Sequence, residues 1–542
     1  MKPLVLTFTV AWVSFAATGY TGSKVCARCH SAIYSKYLNT AMGRSVLPAQ
    51  ETRNLAPIQP VRIAEGGITY ELSRRDNDLY QTEYLQDGSG RDVFRASWKL
   101  EYAIGSGANG ITYAIRRGNY LFEAPISYYS KTHSWELSPG YQKTTTGFSR
   151  LIPEGCIACH SGRARPVADK PGLYLDPPFA ETAIGCENCH GPGEFHASHP
   201  AKGTIVNPAR LAPGLGSDIC MNCHEAGDTR TFQAGKTNAD FLPGKPLSDT
   251  VAILKIPPRR SGAAKDLLEH NFSMMLSRCY RASNGRMGCL TCHDPHAPAS
   301  DTAVPGAYNS KCLTCHTESA CKLPVASRAR EASGCIGCHM PKANIGFISH
   351  SALTNHRIVR TAGEPLPEEA YHLTTRDLPD LIYVNRTSEK PLTPLMLLQA
   401  YGELSDRGPE YRDRYLQTLA QFSNPSEIPL INAALGLKAS REGAPAANVI
   451  ALLSKAVDAG FKAPSAFEAL ATALSAAGRG PETIAALKRG IELSPWEPRL
   501  QKLLALEYIH AKQYDLARET LRQYLKAFPE DQFVRDLLKK VG

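Results

Sequence analysis

The chain runs to 542 residues, with 61 Lys and Arg against 51 Asp and Glu, a formal charge of +10 and 16 cysteines. That length exceeds what one hydrophobic core supports, so several regions are expected. The basic excess forms no run interleaved with aromatics, which excludes a nucleic-acid surface, and past the N-terminus no apolar stretch reaches bilayer-spanning length.

In chain order, residues 1–18 read as a secretory signal. Lys2 supplies a short positive start, residues 4–17 are almost wholly apolar, and Ser14, Ala16, Ala17 and Thr18 offer small residues for cleavage. An uncleaved anchor is the alternative. A Cys-x-x-Cys-His motif follows at Cys26, Cys29 and His30, the first of seven. The others are Cys156/Cys159/His160, Cys186/Cys189/His190, Cys220/Cys223/His224, Cys289/Cys292/His293, Cys312/Cys315/His316 and Cys335/Cys338/His339, so the motifs use 14 of the 16 cysteines.

Two cysteines three positions apart lie on one side of a helical turn. There both sulfurs can form thioethers with the vinyl groups of one porphyrin, and the adjacent His reaches the iron as proximal ligand. Zinc ribbons need no His after the second Cys and use the pairs two by two, which an odd count of seven does not allow. The cofactor expected is haem c, seven copies, covalently attached. Seven haems bring two propionates each, which takes the net charge from +10 to about −4 when reduced and about +3 when oxidised. Such haems are attached outside the cytoplasm, so a periplasmic or extracellular, cell-surface location is expected. In an oxidising compartment the leftover pair, Cys279 and Cys321, is a disulfide candidate, the alternative being two buried thiols.

Between the first and second motifs, segments such as Gly67–Leu72 and Asn119–Phe122 carry strand-forming residues bounded by turn signals. Trp98, Tyr102, Tyr113, Tyr128, Tyr129 and Trp135 would supply a small core. Pro- and Gly-rich connectors at 171–178 and 200–213 join the later motifs. Beyond about residue 390 Cys vanishes and amphipathic helix patterns take over. Pro495 and Pro529 stand 34 residues apart, and at the same offset Ala471 matches Ala505, Leu474 matches Tyr508 and Leu487 matches Leu521, the tetratricopeptide period. The expected fold class is therefore mainly α with a β-rich insert: a multihaem cytochrome c domain with little regular structure, followed by an α-solenoid. The regions expected are a signal at 1–18, the first haem site plus insert at 19–150, six haems at 151–360, a linker at 361–393 and tetratricopeptide-like repeats at 394–542.

A haem that only moves electrons has both axial positions filled, whereas a catalytic haem keeps one open. Outside the motifs the candidates for the sixth position are His196, His199, His270, His296, His350 and His356, each close in sequence to a motif. His133 is a weaker candidate, His372 lies in the linker, and His510 sits in a repeat helix. The first motif has no His within a hundred residues downstream, so Met42 is its candidate sixth ligand. If Met42 and His133 both fail, that haem would be open and the place for catalysis.

The motif region resembles the multihaem c-type cytochromes grouped with the tetrahaem carriers of ammonia oxidisers, pentahaem nitrite reductases and octahaem hydroxylamine oxidoreductases. The likeness rests on Cys335-Ile-Gly-Cys-His339-Met-Pro-Lys342, Gly185-Cys186-Glu-Asn-Cys189-His190-Gly-Pro-Gly193 and Cys289-Leu-Thr-Cys-His293-Asp-Pro-His296. It implies closely stacked, mostly bis-His haem pairs. Nitrite reduction does not carry over, because none of the seven motifs ends in the Lys that those enzymes commonly use. The expectation is an exported heptahaem cytochrome passing electrons to or from protein partners, with the repeats docking a partner or another copy. The alternatives are an oxidoreductase for a small nitrogen or sulfur compound at an open haem, and an assembly cytochrome of a respiratory complex or haem filament.

Overall fold

The computed structural model describes residues 19–542 apart from 57–60, 142–146, 261–268, 299–305, 325–333, 343–353, 362, 388–390 and 423–426. The signal reading for 1–18 and the candidate ligand His350 therefore lie outside the described residues.

Alternating apolar and polar residues build a large antiparallel sheet after the first motif. Its strands are β1 (Val46–Pro48), β2 (Val61–Glu65), β3 (Ile68–Arg75), β4 (Asp78–Gln86), β5 (Asp92–Ile104), β6 (Gly110–Arg117), β7 (Tyr120–Glu123), β8 (Ile126–Tyr129) and β9 (Ser134–Leu137). The main order is β2-β3-β4-β5-β6-β8-β9, with β1 on β5 and β7 on β6. On β3 the pattern is explicit: Ile68, Tyr70 and Leu72 are buried while Thr69 and Glu71 are not. The sheet curls until β4 meets β8, where the Gln81 amide donates to the Ile126 carbonyl at 2.7 Å and accepts the Ile126 N–H at 3.1 Å. The result is near-closed and barrel-like around Tyr113, Phe122, Tyr128 and Trp135.

This overturns the mainly α class. The residues expected to form an insert make a nine-stranded sheet, and the segments around most motifs hold only single turns of helix, such as Ser23–Cys26, Glu154–Ile157 and Glu187–His190. Single turns are what the motif needs, and neither they nor the connectors amount to a helical cytochrome domain. Two smaller antiparallel sheets interleave with them: β10 (Ser161–Pro166) with β11 (Tyr174–Ala183), and β12 (Thr229–Phe232), β13 (Val251–Lys255) and β14 (Ile382–Tyr383).

The described C-terminal residues form antiparallel helices: α1 (Pro394–Leu404), α2 (Pro409–Ala420), α3 (Pro429–Arg441), α4 (Ala446–Asp458), α5 (Pro464–Ala476), α6 (Gly480–Leu493), α7 (Pro498–His510), α8 (Tyr514–Ala527) and α9 (Gln532–Val541). Six of them have Pro in the first turn, five as the first residue, where its missing N–H costs nothing. The residues that repeat at the 34-residue offset, Ala471, Leu474 and Leu487 with Ala505, Tyr508 and Leu521, are all buried between helices. Among the described residues no helix is long and apolar enough to cross a membrane.

The helical array is seated on the large sheet. Trp496 packs edge-on against Phe122 at 4.8 Å and Tyr120 at 5.8 Å. The Arg117 guanidinium lies over Trp98 at 4.3 Å and donates to the Ala527 carbonyl at 3.3 Å. Core packing also reaches the motif segments: Ile157, inside the second motif, is buried against Val46, Ile104 and Leu121 of the large sheet. Met221, inside the fourth, is buried with Val251 and Ile382 of the small one.

Candidate functional site

In four motifs a backbone bond from the His to the first Cys draws the segment into one turn. His30 N–H donates to Cys26 O at 2.9 Å, and the corresponding bonds of His190, His293 and His316 are 3.0 Å. His224 and His339 end the helical segments Pro213–His224 and Cys335–His339, which gives them the same winding. Both sulfurs and the imidazole therefore leave the chain from a single turn, the arrangement a covalently held porphyrin requires.

The second motif departs from the uniform turn expected of all seven. His160 N–H donates to Ile157 O at 3.0 Å instead of to the first Cys, a tighter three-residue closure, and its ring is only half-buried. The physical reason is Ile157, whose burial against the large sheet pins the middle of the motif. The motif cysteines also differ in setting. Cys338 is exposed, as are Cys29, Cys156 and Cys315, whereas the other motif cysteines are half-buried. In the seventh motif the half-buried Cys335 lies beside Cys312 of the sixth.

The imidazoles meet others from distant parts of the chain. His30 faces His196 with ring centroids 6.4 Å apart and planes 12° from parallel. His190 faces His296 at 6.1 Å and 16°, and His293 faces His356 at 6.2 Å and 37°. Two imidazoles bound to opposite sides of one iron through Nε2, each at roughly 2 Å, hold their centroids about 6 Å apart. Three motif histidines thus each face a non-motif histidine with room for an iron between them. His224 lies nearest His270, at 5.4 Å and 70°, and His270 in turn lies 4.9 Å from His356, so four histidines form one cluster.

The second nitrogen of several of these rings is already engaged. His196 Nδ1 is 2.7 Å from Thr204 Oγ1, whose own proton goes to the Ala201 carbonyl at 2.8 Å, so His196 donates. His270 and His356 donate through Nδ1 to the carbonyls of His224 at 3.1 Å and Thr354 at 2.9 Å. His190 and His339 donate to Val206 and Val359, both at 2.8 Å. His296 Nδ1 stands 3.5 Å from the Asp294 carboxylate. A carbonyl or hydroxyl on Nδ1 fixes the tautomer that leaves the Nε2 lone pair free for a metal. Burial, with neighbouring histidines second, pushes His270 down to about 4, and burial likewise lowers His190, His224, His293 and His356.

The sulfurs also meet across motifs. Cys26 lies beside Cys186, Cys159 beside Cys223, Cys220 beside Cys289 and Cys312 beside Cys335. Cys189 lies within electrostatic reach of Cys220 and Cys223, and Cys292 within reach of Cys312 and Cys315. Beside His356, a cavity of about 460 Å³ is lined by Arg278, Arg281, Arg357 and Glu364, and the Arg357 Nε is buried with no hydrogen-bond partner among the described residues. Opposed imidazoles, neighbouring sulfurs and a guanidinium nitrogen with no partner among the described residues form a donor set that fits haem c with its propionates.

Other candidates fall elsewhere. Met42 begins a short turn and its carbonyl accepts from Ser45 Oγ at 2.8 Å; the ring opposite His30 is that of His196. His199 stacks on Phe195 at 4.9 Å. His133 sits in the β8–β9 turn beside the Tyr128 hydroxyl at 3.4 Å, His372 is near Glu368 at 3.9 Å, and His510 is near Glu507 at 3.8 Å. Cys279 and Cys321 are free thiols, with Cys279 close to Cys315.

Sequence reasoning missed Glu187. Its carboxylate, buried between the two cysteines of the third motif, accepts backbone N–H groups from Thr21 at 2.9 Å, Gly22 at 2.7 Å and Gly193 at 2.7 Å. The signal was available, since Glu187 is the only carboxylate lying between the cysteines of any of the seven motifs.

Residues 128–191, spanning the second and third motifs, match the family model described as cytochrome c554 and c-prime. Residues 474–541 match a tetratricopeptide-repeat model. One segment of the chain is therefore similar to c-type cytochromes, which suggests haem c and electron transfer, and another is a repeat segment of a kind that commonly mediates protein–protein contacts. No curated protein matches the chain. Among solved structures, it is similar to the outer cell wall cytochrome OcwA at 16% identity and a TM-score of 0.38, over 89% of this chain and 100% of that one. It is also similar to the APC/C hetero-tetramer Cut9-Hcn1 at 24% identity and a TM-score of 0.24, over 28% of this chain and 30% of that one. MamA from Desulfovibrio magneticus RS-1 matches at 15% identity and a TM-score of 0.24, over 27% of this chain and 82% of that one.

Proposed function

We propose that the chain is an exported heptahaem cytochrome c that transfers electrons along its haems to or from protein partners. The observation that carries this reading is the set of three imidazole pairs 6.1–6.4 Å apart, each joining a motif His to a non-motif His. In this reading His30/His196, His190/His296 and His293/His356 are the axial pairs of the first, third and fifth haems, and His270 serves the fourth. The cysteines of the motifs hold the rings, and the Arg278, Arg281 and Arg357 guanidiniums receive propionates. When bound, haem supplies reversible one-electron chemistry at iron. The chain's own part is to close both axial positions, keep the ligating nitrogens unprotonated and hold neighbouring haems at fixed separation.

The sulfur contacts support a route. Motif 1 touches 3, motif 3 approaches 4, 4 touches 5, 5 approaches 6, and 6 touches 7, with motif 2 joined to 4. Electrons would pass along a line of six haems with one branch. The requirement for attachment outside the cytoplasm supports export, and the repeats support docking to a protein.

The test is haem coordination. Haem analysis and intact mass should give seven haems and fourteen thioethers. Replacing His196, His296 or His356 singly with Ala should each convert one low-spin ferric haem to high spin in magnetic resonance spectra. Unchanged spectra in all three variants would sink the axial assignment. A second reading, an oxidoreductase at an open haem, is favoured by His316, which is exposed and faces no imidazole among the described residues. One high-spin haem in the unmodified protein would support it, and seven low-spin haems would exclude it.

A further inference from the structure

We propose that Glu187 is the positioning residue that aims both axial ligands of the first haem. The inference rests on reading His30 and His196 as those ligands and adds what holds them there.

His30 and His196 are 166 residues apart in sequence, and the segments that carry them converge on one carboxylate. On one side Glu187 Oε1 and Oε2 accept the N–H groups of Thr21 and Gly22 at 2.9 and 2.7 Å, immediately before the turn Ser23–Cys26 that starts the first motif. That turn has no side-chain cap of its own, because Gly22 occupies the capping position with φ 83°. On the other side Oε1 accepts Gly193 N–H at 2.7 Å, at the start of the short helix Glu194–Ser198 that carries His196. Three charge-assisted bonds from a buried carboxylate thus fix the proximal segment and the distal segment in one frame.

The surroundings are built to this contact. Gly193 carries no Cβ, which would lie 3.1 Å from Glu187 Oε1. Cys186 N–H donates to Ser23 Oγ at 2.9 Å, and Glu194 N–H donates to the Gly19 carbonyl at 2.8 Å. The first and third motifs are therefore stitched at several points, and among the described residues Glu187 is the one side chain that bonds to both ligand-bearing segments. An axial ligand must be held within about half an ångström to keep a metal six-coordinate, so slack in either segment falls on the iron–histidine bond.

The experiment compares the full-length holoprotein with Glu187→Ala, His196→Ala and the double variant. Haem content by pyridine haemochrome and intact mass should stay at seven, because no thioether is touched. In Glu187→Ala one ferric haem in seven should become high spin, the same change that His196→Ala produces. The double variant should still show one high-spin haem and no second, since both substitutions act on the same haem. Glu187→Gln keeps a single acceptor oxygen and should give a partial high-spin fraction, so it also serves if the Ala variant loads haem poorly. A spectrum of Glu187→Ala or Glu187→Gln identical to the parent, in a preparation where His196→Ala does give one high-spin haem, would overturn the positioning role. If His196→Ala itself changes nothing, the axial assignment fails instead.

Discussion

A carboxylate pair shows what single residues contribute away from the motifs. Glu83 on β4 and Glu530 between α8 and α9 are buried around one guanidinium, that of Arg117. Oε2 of each carboxylate, Nε of Arg117 and Nε1 of Trp496 have no hydrogen-bond partner among the described residues. Burial, with the Glu530 charge second, pushes Glu83 up to about 8, and burial pushes Glu530 up to about 7. Burial lowers Arg117 to about 10, against the pull of both acids. Tyr70, Tyr141, Asp531 and Arg535 also face the group. An acid whose folded pKa is raised favours folding fully only below its unfolded pKa, and that stability is lost as pH rises through the folded value. The thermal midpoint of the holoprotein should therefore fall as pH rises from about 5 to about 8. Glu83→Gln should flatten that slope and gain on the order of 2 kcal/mol at pH 9, read by calorimetry; a slope unchanged by the substitution would refute the assignment. At this scale the motif cysteines and the histidines beside them are legible in the sequence because the motif is a matter of local spacing. The tighter turn at His160 and the exposure of Cys338 are not, because they depend on what each motif packs against. The pairing of His30 with His196 is equally hidden, since no spacing rule links residues so far apart, and proximity to the first motif points only to Met42.

At the scale of elements the solenoid is readable and the sheet is not. A 34-residue period writes the same buried positions twice, so Ala471 and Ala505 can be placed before any coordinates. The strands after the first motif can be recognised individually, but nothing in alternation says how many of them close into one sheet. Only contacts such as Gln81 to Ile126, 45 residues apart, decide that. Helix packing makes its own prediction. A Cβ on Gly490 of α6 would lie 2.9 Å from Phe467 Cβ on α5 and 3.0 Å from Leu500 Cδ1 on α7. Gly490→Ala gains helix propensity yet should destabilise the solenoid by about 1–3 kcal/mol, seen as an earlier calorimetric transition with haem spectra unchanged.

For the whole molecule, the helices and the sheets are mutually dependent. Trp496 fills the space above Phe122 and Tyr120, and Lys462 pairs with Asp169 at 2.7 Å. Trp496→Ala should cost about 2–4 kcal/mol of docking and expose the 361–393 segment to proteolysis at least about tenfold faster, with haem content unchanged. Equal cleavage rates would show the seat to be incidental.

The helical array is also gripped at its other end. Thr229 Oγ1 on the small sheet donates to Glu403 of α1, and Arg259 pairs with Glu410 of α2 at 2.6 Å. A body fastened at both ends is a strut, and here it spans from the sheet that packs the second motif to the sheet that packs the fourth. Tunnelling through protein falls steeply with gap width, so a bridge that breathes would conduct in bursts. Braced from outside, the row of cofactors would work instead as a wire of constant resistance.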